Sequence, residues 1–161
     1  MPIACGAATV SDQPVPYRHV LVGTDGSATA GEAVRHAAKL AIACGARLTI
    51  VSAYTRREGS PGELVPPDED DWMATDAAGA SDHVVKAQEL AKEVGLTNLG
   101  GRTDAGDPAS VLLDVATEVG ADVIVIGSRG MSAPTRFLLG SVPNRVSHHA
   151  PCDIIIVRTS D

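Results

Sequence analysis

The chain has 161 residues, of which 44% are hydrophobic and 20% charged, and carries a formal net charge of −7. This length allows one domain with a sizeable core, and a pI near 5.1 argues against a general nucleic-acid or anionic-membrane surface. No apolar run reaches the roughly 18 residues of a transmembrane helix. The N-terminus has no basic segment followed by an apolar one, so we expect a cytoplasmic protein without a secretory signal. The cysteines Cys5, Cys44 and Cys152 are widely spaced, which predicts reduced thiols rather than a disulfide framework.

The first third of the chain contains a tail and three predicted elements. Residues 1–16 lack periodicity, so we expect a flexible tail followed by a single domain over 17–161. Arg18–Thr24 has the pattern of a buried strand. Apolar residues at helical spacing predict a helix from about Ser27 to Cys44, and Arg47–Tyr54 is again typical of a strand.

The rest of the chain continues this alternation after one interruption. Thr55–Thr75 holds three prolines and the acidic run Asp68–Asp71, and it predicts a long loop. This loop is either a variable surface insertion or a flap near a ligand, and its acidic run has no calcium-loop pattern. The elements predicted beyond it are Asp76–Val94, Leu96–Thr103, Pro108–Val119, Ala121–Ile126, Val142–His149 and Asp153–Arg158.

Three helix starts carry recognisable signals. Thr29 and Glu32 have the spacing of a capping box. Asp107 followed by Pro108 predicts an N-cap and a first helical residue, because proline needs no donor there. Ser141 predicts the N-cap of a helix that has proline in its first turn.

The most informative pattern is Gly127-Ser-Arg-Gly130, nine residues, then Gly140-Ser141. It follows a predicted strand and precedes a predicted helix. Glycines let backbone N–H groups approach an anion, and a helix N-terminus adds free donors and a positive dipole end. From Val123 to Cys152 there is no Asp or Glu, whereas Arg129, Arg136 and Arg145 are present, which favours an anion at this segment.

Alternating strands and helices predict an α/β fold in three layers, with a doubly wound, Rossmann-like parallel sheet of five strands in the order 3-2-1-4-5. In such sheets ligands bind beyond the carboxyl ends of the strands, where the order reverses. Thr24-Asp25 leaves the first strand and Gly127 leaves the fourth. We therefore expect these two segments to meet at one crevice.

Three segments together resemble the universal stress protein family, and the resemblance covers essentially Arg18 to Thr159. They are Val22-Gly-Thr-Asp-Gly-Ser27, the Gly106-Asp-Pro108 helix start and the glycine pattern. The spacing Gly-x₂-Gly-x₉-Gly-Ser resembles the nucleotide-binding signature of its ATP-binding members. The resemblance implies an adenine nucleotide-binding fold and a stress-response binding module with a bound ATP, accompanied by Mg²⁺.

The resemblance also implies which residues hold the nucleotide. The phosphates and ribose would lie against the glycine segment, and the adenosine against residues that follow the first two strands. The implied binding residues are Gly23, Thr24, Asp25, Ala53, Ile126, Gly127, Ser128, Arg129, Gly130, Gly140, Ser141 and Val142. Asp25 has the alternative of a turn-forming and capping role.

Other functions are open or disfavoured. The site could bind AMP or cyclic AMP instead of ATP, because the motif indicates phosphate binding without specifying the number of phosphates. A flavin or electron-transfer protein of related fold and a nucleotide-free dimer are further alternatives. No P-loop, dinucleotide fingerprint or hydrolase nucleophile elbow is present, which disfavours those classes of enzyme. The motif places no general base or arginine finger, so we expect at most slow ATP hydrolysis. His148 and His149 are adjacent, which makes them poor joint metal ligands.

The last predicted strand, Asp153–Arg158, lies at a sheet edge in this order. Its four consecutive aliphatic residues would expose unpaired backbone groups beside apolar side chains. Pairing with a symmetry mate would bury both, and the family resemblance raises this expectation, so we predict a homodimer through this strand. The alternative is a monomer in which the tail covers the edge.

Overall fold

The computed structural model describes residues 17–56, 76–128 and 139–159, which form five strands and four helices in strict alternation. The strands are β1 (His19–Gly23), β2 (Arg47–Tyr54), β3 (Leu99–Ala105), β4 (Val123–Gly127) and β5 (Asp153–Val157). The helices are α1 (Ala28–Cys44), α2 (Ala77–Val94), α3 (Pro108–Val119) and α4 (Ser141–His149). The predicted tail, most of the loop over 55–75, and Arg129, Gly130 and Arg136 lie outside the described residues.

All five strands run parallel in the order β3-β2-β1-β4-β5, which confirms the predicted fold class and order. The order reverses between β1 and its neighbour β4, where Val22 is level with Val125. Because both strands run the same way, Thr24 and Gly127 leave the sheet at the same level. The predicted edge positions of β3 and β5 are confirmed.

Helices cover both faces of the sheet, and the core is split accordingly. Along β1, Val20 and Val22 pack towards α1 and α2, whereas Leu21 between them packs towards α3 and α4. This is the two-residue alternation of a strand. Most buried helix residues are alanine or valine, as in the run of Ala33, Ala37 and Ala41 on α1. Small side chains let helices lie close to the sheet, so the core closes with very few aromatic residues.

Two predicted N-caps are wrong: Thr29 by two residues and Ser141 by one. The N-cap of α1 is Ser27, whose Oγ accepts the N–H of Ala30 at 3.1 Å, so Thr29 lies inside the helix and forms no capping box. The N-cap of α4 is Gly140, and Ser141 is the first helical residue. Asp107 caps α3 as predicted and accepts the N–H of Ser110 at 3.0 Å.

The predicted start of the third strand is also wrong. Leu96 is buried after the C-cap of α2, and its N–H is donated to the carbonyl of Ala91 at 3.2 Å. It therefore belongs to the turn that closes α2, and the strand begins only at Leu99. Of the described helices, none is both long and apolar enough to cross a membrane.

Candidate functional site

The segment that leaves β1 is held rigidly by its own side chains. Thr24 donates its N–H to the carbonyl of Val51 at 2.9 Å, which anchors the segment to β2. The hydroxyl of Thr24 accepts the N–H of Gly26 at 3.2 Å, and Asp25 Oδ1 accepts the N–H of Ser27 at 2.9 Å. The turn-forming role of Asp25 is thus present in the structure. It fixes the carboxylate just beyond the carboxyl end of β1.

The segment that leaves β4 returns to its starting point. The N–H of Gly140 donates to the carbonyl of Ser128 at 3.0 Å. This single bond joins the two ends of the glycine pattern, so Gly127-Ser128 and Gly140-Ser141 lie side by side. It also uses the Gly140 N–H, which the resemblance assigned to phosphate binding.

The N-terminus of α4 presents free backbone donors. Gly140 makes no side-chain cap, and its carbonyl accepts the N–H of Asn144 at 3.1 Å. Within the described part of the chain, no group accepts the N–H of Ser141 or Val142. Pro143 has no N–H to offer. Two adjacent donors at a helix N-terminus are a place for an anion.

The other predicted site residues divide by position. Ala53 lies near the end of β2, partly buried, and Ile126 is buried in β4. Gly23 ends β1, and a Cβ added there would lie 3.0 Å from Cδ1 of Leu112, so this glycine makes room for α3. The structure therefore explains Gly23 by packing. Arg129 and Gly130 lie outside the described residues.

The segment without Asp or Glu suggested that Arg145 would contact an anion, but its side chain contacts a carboxylate of this chain instead. Its Nη1 contacts Asp107 Oδ2 at 2.7 Å, and its Nη2 donates to Ser110 Oγ at 3.1 Å. These bonds tie α4 to the N-terminus of α3. His148 and His149 lie at the exposed C-terminal end of α4, and no group of three metal-binding side chains occurs among the residues described.

A groove of about 370 Å³ lies at the opposite, amino edge of the sheet, lined by His19, Arg47, Thr49, Gly100, Gly101, Arg102 and Val119. One of its two arginines is paired, because Arg102 contacts Asp104 at 2.7 Å and Glu118 at 3.2 Å. The C-terminal end of α3, at Val119, adds a negative dipole end. The groove therefore combines positive side chains, one of them paired, with the negative end of a helix.

Comparison with known proteins agrees with the fold. The model of the universal stress protein family matches residues 16–158. The chain belongs to the universal stress protein family. A universal stress protein of Mycobacterium tuberculosis is 38% identical over 145 residues, covering 89% of this chain and 98% of that one.

Two solved universal stress protein structures have the same architecture. One, a crystal structure in complex with cAMP, is 35% identical with a TM-score of 0.69 and covers 89% of this chain and 98% of its own. The other, UspA from Lactobacillus plantarum, is 28% identical with a TM-score of 0.71 and covers 88% and 98%.

Three residues near the site were missed by the sequence analysis. Thr159 bonds to Ser128, Asp107 bonds to Arg145 across two helices, and the ring of His83 lies against Gly26. Asp107 was predicted only as a cap. Each contact joins elements far apart in the chain, so no local pattern marks it.

Proposed function

We propose that this universal stress protein binds an adenine nucleotide at the carboxyl edge of β1 and β4 and acts as a binding module in a cytoplasmic stress response. The observation that carries the proposal is the bond from Gly140 N–H to the Ser128 carbonyl. It brings Gly127-Ser128 next to Gly140-Ser141 at the N-terminus of α4, where the N–H groups of Ser141 and Val142 have no acceptor among the described residues.

The two sides of the site suit two parts of a nucleotide. The helix N-terminus favours phosphate, because its donors and its dipole both attract negative charge. Asp25, on the neighbouring segment, offers a carboxylate that suits ribose hydroxyls, and Ala53 lies near the end of the next strand. This division follows the family resemblance and is part of the proposal.

ATP is our first choice of ligand, and AMP or cyclic AMP is the alternative. The cAMP complex of a relative that is 35% identical favours a nucleotide with one phosphate, whereas the complete glycine pattern resembles ATP-binding members. We expect Mg²⁺ to bind only together with the phosphates of the nucleotide. The described residues form no cluster of three ligands, and Mg²⁺ is commonly held by phosphate oxygens, water and one or two carboxylates.

We also propose a homodimer through β5. The strand lies at the sheet edge, and Ile154, Ile155 and Ile156 are only partly buried. Pairing two copies of β5 around a two-fold axis would cover these side chains and the free backbone groups together.

Calorimetric titration with ATP, ADP, AMP and cyclic AMP tests the nucleotide proposal, together with mass analysis of any small molecule that co-purifies. We expect binding of at least one of the four. Binding of none would contradict the proposal, and a yellow co-purified chromophore would favour a flavin.

Gly140→Asp separates binding from folding. Gly140 is an N-cap with φ −58° and ψ 164°, a conformation that aspartate adopts readily, and aspartate caps a helix slightly better than glycine. The fold should therefore be unchanged or a few tenths of a kcal/mol more stable. The new carboxylate should weaken phosphate binding by about 1 to 4 kcal/mol through like-charge repulsion.

Gly140→Asn is the matched control, because it adds a cap of the same shape without the charge. If the Asp variant bound ATP as tightly as the Asn variant, phosphate would lie elsewhere.

A further inference from the structure

Ser128 is hydrogen-bonded in three directions. Its N–H donates to the carbonyl of Val157 at 2.8 Å, which extends the ladder between β4 and β5 by one residue. Its carbonyl accepts the N–H of Gly140, which closes the glycine segment. Its hydroxyl lies 3.3 Å from Thr159 Oγ1 and also accepts the N–H of Thr159 at 3.3 Å. Ser128 thus connects Gly140, at the second part of the glycine pattern, to Val157 and Thr159 at the end of β5.

Thr159 is a buried polar residue whose polar groups meet Ser128. It is 3% exposed, one of three buried polar or charged residues in the described part of the chain. A buried hydroxyl needs a partner, and within residues 17–56, 76–128 and 139–159 the partner of Thr159 Oγ1 is Ser128 Oγ. Thr159 follows β5 by two residues, so its N–H points to the same side as that of Val157, towards β4.

We propose that Thr159 is a positioning residue of the phosphate-binding segment, acting through Ser128. The proposal rests on the proposed function, since it assigns phosphate to the N–H groups of Ser141 and Val142, next to Gly127-Ser128 and Gly140. Thr159 itself does not touch the nucleotide. It fixes the hydroxyl of Ser128 and, with it, the backbone whose carbonyl holds Gly140.

This arrangement predicts a loss that is specific to the phosphate side. Without the Thr159 hydroxyl, the Ser128 hydroxyl loses one of its two bonds and can rotate. The carbonyl of Ser128 then holds Gly140 less firmly, so the free donors of Ser141 and Val142 keep their alignment for less of the time. The segment after β1 is tied to β2 through Thr24 and should be unaffected.

The test is calorimetric titration of wild type, Thr159→Val and Thr159→Ser with ATP and with adenosine. Valine keeps the shape and removes one hydroxyl, so affinity for ATP should fall by about fivefold to tenfold, the equivalent of one hydrogen bond. Affinity for adenosine should stay within about twofold, and serine should restore most of the ATP affinity. Equal ATP affinity in wild type and the valine variant, or an equal loss for both ligands, would overturn the proposal.

Thr49→Val is the matched control, because Thr49 is also a buried threonine, 6% exposed, whose hydroxyl pairs with a side chain. Its partner is His19 Nε2 at 2.7 Å, at the opposite edge of the sheet. This variant should lose stability comparably and keep its ATP affinity. A loss of ATP affinity as large as that of Thr159→Val would show a general effect of destabilisation and would contradict the assigned role.

Amide hydrogen exchange in the free protein tests the positioning without a ligand. The Gly140 amide should exchange at least about fivefold faster in Thr159→Val and in Ser128→Ala than in wild type, because both variants remove a side-chain contact that steadies the Ser128 backbone, whose carbonyl accepts this N–H. Thr49→Val should leave it unchanged. If the wild type bound neither ATP nor adenosine, the proposed function would be wrong, and unchanged Gly140 exchange in both variants would overturn the role of Thr159 independently.

Discussion

Gly26→Ala should be unusually destabilising for a substitution in a surface turn. Gly26 has φ 79°, in the left-handed region that favours glycine. A Cβ added there would lie 2.5 Å from Nε2 and 2.9 Å from Cγ of His83, which approaches from α2. Because Cγ lies near the base of the side chain, the whole ring must move, and a rotation of its tip would not suffice.

The expected loss has two parts. The left-handed conformation costs a residue with a Cβ about 1 to 2 kcal/mol, and displacing a packed side chain costs about 1 to 3 kcal/mol. We expect a total near 3 kcal/mol. Gly45→Ala is the matched control, because Gly45 has φ 63° with no atom within 4 Å of the added Cβ. It should lose only the first part, about 1 to 2 kcal/mol.

Urea unfolding of the two variants measures both parts, and the His83→Ala background isolates the second. In that background Gly26→Ala should cost about as much as Gly45→Ala, since the ring is gone. If Gly26→Ala cost no more than Gly45→Ala in the wild-type background, or if removing His83 gave no relief, the reasoning would be refuted.

Two further predictions concern the sheet edge and the amino end of β1. The carbonyl of Val157 accepts a hydrogen bond from β4, so the N–H of its neighbour Ile156 points to the free edge of the sheet. Proline at position 156 therefore removes no hydrogen bond to β4, and Ile156→Pro should keep the fold and give a monomer near 16.5 kDa by light scattering. Ile155→Pro, which breaks the ladder to β4, is the unfolding control, and a wild-type monomer at micromolar concentration would refute the dimer. Asp122 accepts the N–H groups of Arg18 at 2.7 Å and His19 at 2.9 Å, which holds its pKa below its usual value. Asp122→Ala should therefore lower the free energy of unfolding by about 1 kcal/mol above pH 4, and this difference from wild type should shrink as pH falls through the lowered pKa. A stability difference that does not change with pH would contradict this.

Much of the fold follows from local patterns in the sequence. Alternating apolar segments and helical periodicity predicted all nine described elements, and strict alternation then restricted the topology to a parallel doubly wound sheet. Asp107-Pro108 predicted the start of α3 correctly, because the side chain and the ring act within their own turn. Two potential caps stand two residues apart at Ser27 and Thr29, and local pattern alone did not decide between them.

The sequence could suggest residues for the candidate site, but not the hydrogen bonds and the ion pair that these residues form. The glycine pattern and Asp25 pointed to the segments that follow β4 and β1, whose carboxyl ends lie at the same level of the sheet. The bond between Ser128 and Thr159 spans 31 residues, and that between Arg145 and Asp107 spans 38. Both depend on strand register and helix packing, which no single segment encodes. The Gly140 N–H was assigned to phosphate for the same reason, because only the folded chain shows that Ser128 accepts it.

The central claim is that phosphate binds at the N-terminus of α4, and amide chemical shifts during titration of the ¹⁵N-labelled protein with ATP test it directly. We predict that the largest changes occur at Ser128, Gly140, Ser141 and Val142, with smaller changes after β1. The groove at the amino edge provides the contrast, since it is a concave region lined by Arg47 and Arg102. Largest changes at Thr49, Gly100 and Gly101, with Ser141 and Val142 unmoved, would contradict the account.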